Sequence, residues 1–121
     1  MPDVTTLKNQ LSSNELFQAF KRQLAKDFEQ SNFPADFVEA LGPVYSTILE
    51  KIAEELQRHE RRTDFNIMQL LYRVDISEAQ LNKYISERRD ENYFTVIAEL
   101  IIKRVLQKVV TRHYYKPSEN S

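Results

Sequence analysis

Cysteine and tryptophan are absent from this chain, and glycine occurs once, at Gly42. The missing cysteine excludes disulfides, thiolate metal sites and a cysteine nucleophile, and it fits a reducing compartment. The scarcity of glycine excludes more. Sheets need glycine at hairpins and bulges, and phosphate-cradling loops and dinucleotide fingerprints need several. No apolar run approaches membrane-spanning length, because the longest, VIAELII, is broken by Glu99. The opening MPDVTTLKNQ carries an acid and no apolar core, so it does not read as a secretory signal. No membrane span and a cytoplasmic location are the resulting expectations.

What remains favours helix: Leu, Ile, Ala, Glu, Lys, Gln and Arg dominate. A length of 121 residues suggests one domain, large enough to bury a core without a metal or disulfide staple. The net charge of −1 hides an asymmetry. Residues 1–60 hold six basic and ten acidic side chains, whereas residues 61–121 hold eleven and eight. The second half therefore hints at a basic surface.

Apolar spacing organises the chain. Residues 1–12 read as an arm or a short helix, in which Val4, Leu7 and Leu11 have helical spacing and Asp3 could cap. A single helical domain is expected over 13–116, and a disordered tail over 117–121. Ser13 can cap a helix with the stripe Leu16, Phe17, Phe20, Leu24 and Phe28, and with Asp27 among the polar residues opposite. Ser31–Asn32 before Pro34 should end it. Pro34 suits the first turn of a short helix, and Pro43 should start another, because inside a helix it would cost about 3 kcal/mol. That next helix should bury Val44, Tyr45, Ile48, Leu49, Ile52 and Leu56, with Glu54 and Arg58 as an exposed pair. Thr63 or Asp64 should open a helix carrying Phe65, Ile67, Met68, Leu70, Leu71 and Val74.

Leu70–Leu81, LLYRVDISEAQL, is the sharpest local signal. Ser77 and Gln80 form a capping box, and Ile76 and Leu81 sit where a hydrophobic staple joins them. The expectation is a helix, a tight turn and a second helix with Leu81, Tyr84 and Ile85 inward. Asp90 should cap the last helix, roughly Glu91–His113. That helix is apolar over most of its circumference, with Asn92, Thr95, Glu99 and Lys103 as a thin polar line. It must be covered on most sides, either as the centre of a monomer or partly in a homo-oligomer through 93–110. The expected fold is all-α: a compact bundle of five or six helices packed around this long, mostly apolar C-terminal helix.

Catalytic chemistry is poorly served, so the chain reads as no enzyme and as needing no cofactor. His59 lies in the charged run QRHERR and reads as a surface residue. Glu55 and His59 share a helix face, but di-metal bundles space Glu and His three apart and repeat the motif, so no metal site is expected. Leu70–Ile85 resembles the core of the helix-turn-helix DNA-binding family. Leu70, Val74, Ile76, Leu81 and Tyr84 match its apolar framework, and Ser77 stands where the recognition helix begins. The family prefers a small residue where Leu71 stands and glycine where Asp75 stands, since the turn needs a positive φ. The resemblance implies a reading face that includes Gln80 and Asn82, with Glu78 repelling phosphate.

Lys103, Arg104, Lys108, Arg112 and Lys116 cluster near the C-terminal end, interleaved with Tyr114 and Tyr115. They can stabilise the helix dipole or meet an anionic partner. The candidate partner surface is accordingly Gln80, Asn82, Lys83, Arg88, Arg89, Lys108, Arg112 and Tyr115. The leading expectation is a protein-interaction or adaptor domain that binds a protein partner or itself. The alternative is a nucleic-acid-binding regulator using residues 64–89 and the basic end.

Overall fold

A computed structural model of the chain describes residues 4–60 and 67–115. Seven helices and no strand occur among the described residues: α1 (Val4–Leu11), α2 (Asn14–Gln30), α3 (Asp36–Glu39), α4 (Tyr45–His59), α5 (Ile67–Arg73), α6 (Glu78–Glu87) and α7 (Tyr93–Tyr115). The architecture is an all-α bundle, with one helix more than the five or six expected. Phe65 and the candidate caps Thr63 and Asp64 lie outside the described residues, as do Asp3 and the tail.

The helix α7 is the axis. It packs against α1, α2, α4 and α6. Val96, Ile97, Ala98, Leu100, Ile101, Ile102, Val105, Leu106 and Val109 are all buried within the single chain. Their positions go round most of the helix, so the neighbours that cover it belong to the same molecule, while Tyr93 at its start is exposed. A chain of this size has enough amphipathic helices to surround one apolar helix completely.

The remaining core follows the sequence stripes. Leu16, Phe17, Phe20, Leu24 and Phe28 of α2 are buried, as are Ile48, Ile52 and Leu56 of α4. Leu7 and Leu11 are fully buried in the same core, so α1 is part of the bundle rather than an arm beside it. Ser13 caps α2 by accepting from the Leu16 N–H at 3.4 Å.

The corner after α2 is sharper than proline chemistry alone predicts. Asn32 has φ of 64°. Its N–H donates to the Glu29 carbonyl, and the Phe33 N–H reaches back to the Phe28 carbonyl at 2.9 Å. These are the two bonds of a Schellman stop, and the Phe28 and Phe33 rings supply its apolar contact at 5.7 Å.

Both prolines sit further from their helices than expected. Pro34 lies two residues before α3, and Pro43 two residues before α4. Val44 becomes the N-cap of α4 and is 54% exposed rather than buried, because a capping residue has extended backbone and leaves the helical stripe. The N-terminus of α7 is capped by Asn92, not Asp90. The Asn92 side-chain oxygen accepts from the N–H groups of Phe94 at 2.9 Å and Thr95 at 3.2 Å, two and three residues on, as N-cap geometry requires.

Candidate partner-binding surface

The α5–α6 corner forms as the sequence implies. The Ile76 N–H donates to the Leu71 carbonyl at 2.8 Å and the Asp75 N–H to the Tyr72 carbonyl at 3.1 Å, with Asp75 at φ of 64°. Ser77 Oγ accepts from the Gln80 N–H at 3.1 Å, and the Ser77 N–H donates to Gln80 Oε1 at 2.9 Å. The capping box is complete. Its completion engages the Gln80 carbonyl oxygen in the cap rather than leaving it to a ligand. Asn82, Lys83 and Arg89 are exposed, alongside Glu78 and Glu87. The outer face of α6 therefore carries mixed charge.

Arg88 points inward instead. Its guanidinium lies 3.7 Å from the Tyr84 ring centroid, and Nη2 stands 3.4 Å from Glu99 Oε2. Tyr84 donates its hydroxyl hydrogen to Glu99 Oε2. Lys103 Nζ donates to the Tyr84 hydroxyl oxygen at 2.5 Å and pairs with Glu99 at 3.1 Å. Lys103 is buried, and Glu99 nearly so. The Glu99–Lys103 part of the thin polar line of α7 is thus an interior ionic cluster that clamps α6 to α7. Burial, reinforced by the hydrogen bond to Glu99, pushes the Tyr84 phenol far above its usual range. Tyr45 of α4 borders the cluster, and burial together with the Glu99 charge pushes it up to about 12.

Asp27 provides a second correction. Expected on the solvated side of α2, it is buried, accepting from Gln23 Nε2 at 3.0 Å and pairing with Lys108 Nζ at 3.3 Å. Lys108 Nζ also donates to the Arg73 carbonyl at the end of α5, at 3.3 Å. One ammonium thereby joins α2, α5 and α7. His59 is likewise buried rather than solvated, with Nε2 3.5 Å from Glu55 Oε1. Glu55 also meets Arg58 at 3.2 Å, so Arg58 pairs with Glu55 and not with Glu54, which stands 3.7 Å from Lys51. No group of three or more His, Asp or Glu able to hold a metal occurs among the described residues.

Beyond Glu99, α7 contains no acid: Leu100–Tyr115 holds Lys103, Arg104, Lys108 and Arg112. Arg104, Lys108 and Arg112 recur every four residues and so share one face. Arg104 Nη1 donates to Gln107 Oε1 at 2.6 Å, and Arg112 Nη2 to Gln23 Oε1 at 2.8 Å. Both partners are neutral, so both guanidinium charges stand uncompensated by any carboxylate at ion-pair distance among the described residues. A shallow depression of about 340 Å³ runs along this face, lined by Arg104, Gln107, Lys108, Thr111 and Arg112. A second, of about 210 Å³, adjoins it on the other side of Arg112 and includes Arg22, Glu15 and His113. His113 Nδ1 lies 3.2 Å from the Glu15 carboxylate, joining the end of α7 to the start of α2.

The candidate residues therefore fall into two groups that the fold keeps apart. Gln80, Asn82, Lys83, Arg88 and Arg89 belong to α6 and the turn after it, beside the first half of α7. Lys108 and Arg112 lie on the second half, roughly 14 Å and 20 Å of helix beyond Glu99 at the α-helical rise. Tyr115 closes α7, and its side chain lies outside the described residues. Sequence reasoning placed Arg104 in the basic C-terminal cluster but left it off the candidate surface, and it missed Arg22. No family model, curated protein or solved structure matches the chain.

Proposed function

We propose that the chain is a protein-interaction domain, an adaptor that holds an acidic segment of a protein partner along the C-terminal half of α7. One observation carries this reading: Arg104 and Arg112 share a face of the acid-free part of α7 beyond Glu99 and are hydrogen-bonded only to neutral amides. A guanidinium in that state keeps its charge and most of its donors for an incoming carboxylate, which it can meet with two parallel bonds. The role is binding rather than catalysis. The cysteine-free composition supports a cytoplasmic setting, and no described helix is long and apolar enough to cross a membrane.

Charge favours an acidic peptide over nucleic acid as the occupant. Two of the cations a phosphate backbone would use, Arg88 and Lys108, are paired inside the molecule with Glu99 and Asp27. The exposed face of α6 presents Glu78 and Glu87 with Lys83. Duplex binding draws on several phosphate contacts at once, and these two patches do not form one continuous strip. Fluorescence anisotropy with a labelled poly-glutamate peptide and a labelled DNA duplex tests the proposal at physiological salt. The peptide should bind, weaken as salt rises, and lose at least tenfold in affinity in the Arg104→Ala/Arg112→Ala double variant. A duplex bound more tightly than the peptide, or peptide binding that ignores the double substitution, overturns it.

A further inference from the structure

We infer that α6 is a flap, which lifts off α7 as a unit while the rest of the bundle stays folded. Its attachment differs in kind from that of the other long helices. Of its ten residues, Leu81 alone is buried, whereas α2 buries five apolar side chains and α4 buries four. Its main packing partner is α7. The seam between them is incompletely closed, with a depression of about 270 Å³ bordered by Gln80, Lys83, Tyr84, Glu87 and Leu100.

Besides Leu81 and the half-buried Tyr84 and Ile85 against the core, a polar clamp holds α6 down: Tyr84 between Glu99 and Lys103, and Arg88 stacked on Tyr84 and paired with Glu99. Such a clamp opens differently from a packed apolar face. Apolar area is lost gradually as surfaces separate, but a hydrogen-bonded ionic cluster is lost almost at once, and each released group is then solvated by water. Tyr84 and Arg88 regain water when α6 lifts, and so do Glu99 and Lys103. The segments on which α6 would turn lie at its two ends. Asp75 already sits at positive φ before α6, and Arg88–Asn92 connects α6 to the Asn92 cap of α7. Opening uncovers Leu100 and the Glu99–Lys103 pair, giving solvent access to a face of α7 that is otherwise interior. Local opening of this kind belongs to elements with few buried apolar contacts.

Hydrogen exchange followed by mass spectrometry on the full chain tests the inference without reference to any partner. Amides of residues 78–87 should exchange at least tenfold faster than those of 48–56 and 96–106. Tyr84→Phe removes only the hydroxyl and should speed exchange in 78–87 by about a further tenfold, the expected scale for a hydrogen bond to a charged group. Residues 48–56 should be unaffected. Arg88→Gln, which leaves Tyr84 intact, should shift 78–87 in the same direction. Protection of 78–87 equal to that of 48–56, no effect of Tyr84→Phe on 78–87, or an equal acceleration of every helix each overturns the flap. Loss of peptide binding by the Arg104→Ala/Arg112→Ala variant bears on the basic face alone and leaves this result unchanged.

Discussion

At Asn32 and at Asp75 the chain leaves a helix by the same route. Each residue has φ of 64°, and each is followed by a residue whose N–H reaches back five positions to a helical carbonyl. Beyond that point the two corners part. The first closes on aromatic rings, with Phe28 in edge contact with Phe33 and with Phe37 at 5.3 Å. The second closes on a capping box and delivers a helix held by charge. The helix-turn-helix resemblance rests on the second corner, but its backbone device recurs at the first, where a four-residue helix follows. The device is therefore general helix-termination chemistry. What distinguishes a DNA reader is the charge of the face presented after the turn, and here that face is mixed.

Substitutions that treat the corners as a pair sharpen this contrast. The largest effect belongs to the aromatic corner: Phe28→Ala should cost about 3–5 kcal/mol in denaturant unfolding, because a fully buried ring touching two others is deleted. Leu81→Ala, on the helix that follows the second corner, should cost about 2 kcal/mol, at the bottom of the range for leucine, since α6 can move to fill the gap. Equal costs for the two would break the contrast. Ser77→Ala should cost about 1 kcal/mol through loss of the cap, visible as a lowered denaturation midpoint. Smallest, Asp75→Gly should raise stability by about 0.5–1 kcal/mol by relieving the positive φ. Asn32→Gly should gain less, because asparagine is the commoner non-glycine residue at this position. A loss of stability in Asp75→Gly would show that the aspartate side chain is itself part of the corner.

Features whose partners lie three or four residues apart were legible in the sequence. Ser77 with Gln80, Ser13 before Leu16, and the stripes of α2 and α4 need no knowledge of the fold. Asp90 and Asn92 show the limit, because both are good capping residues and propensity cannot choose between positions two apart. The ionic interior was not legible. Asp27 meets Lys108 across 81 residues of sequence, and Arg112 meets Gln23 across 89. An acid or a lysine on a helix wheel reads as solvated until a neighbouring helix covers it. The basic face was half legible for the same reason: its cations stood out in the sequence, but only tertiary contacts show that Lys108 is committed to the interior while Arg104 and Arg112 are not.

The central position of α7 has a consequence for synthesis. A ribosome makes α1 through α6 before it makes the helix that all the long ones need. Leu7 and Leu11 are complete roughly 90 residues ahead of Ile97 and Ile101, which at about 5–20 residues per second is a delay on the order of ten seconds. During that interval the nascent chain carries five or six amphipathic segments with no common surface on which to bury their stripes. Folding therefore awaits the emergence of the last helix, and until then the stripes of α2 and α4 are open to chaperones.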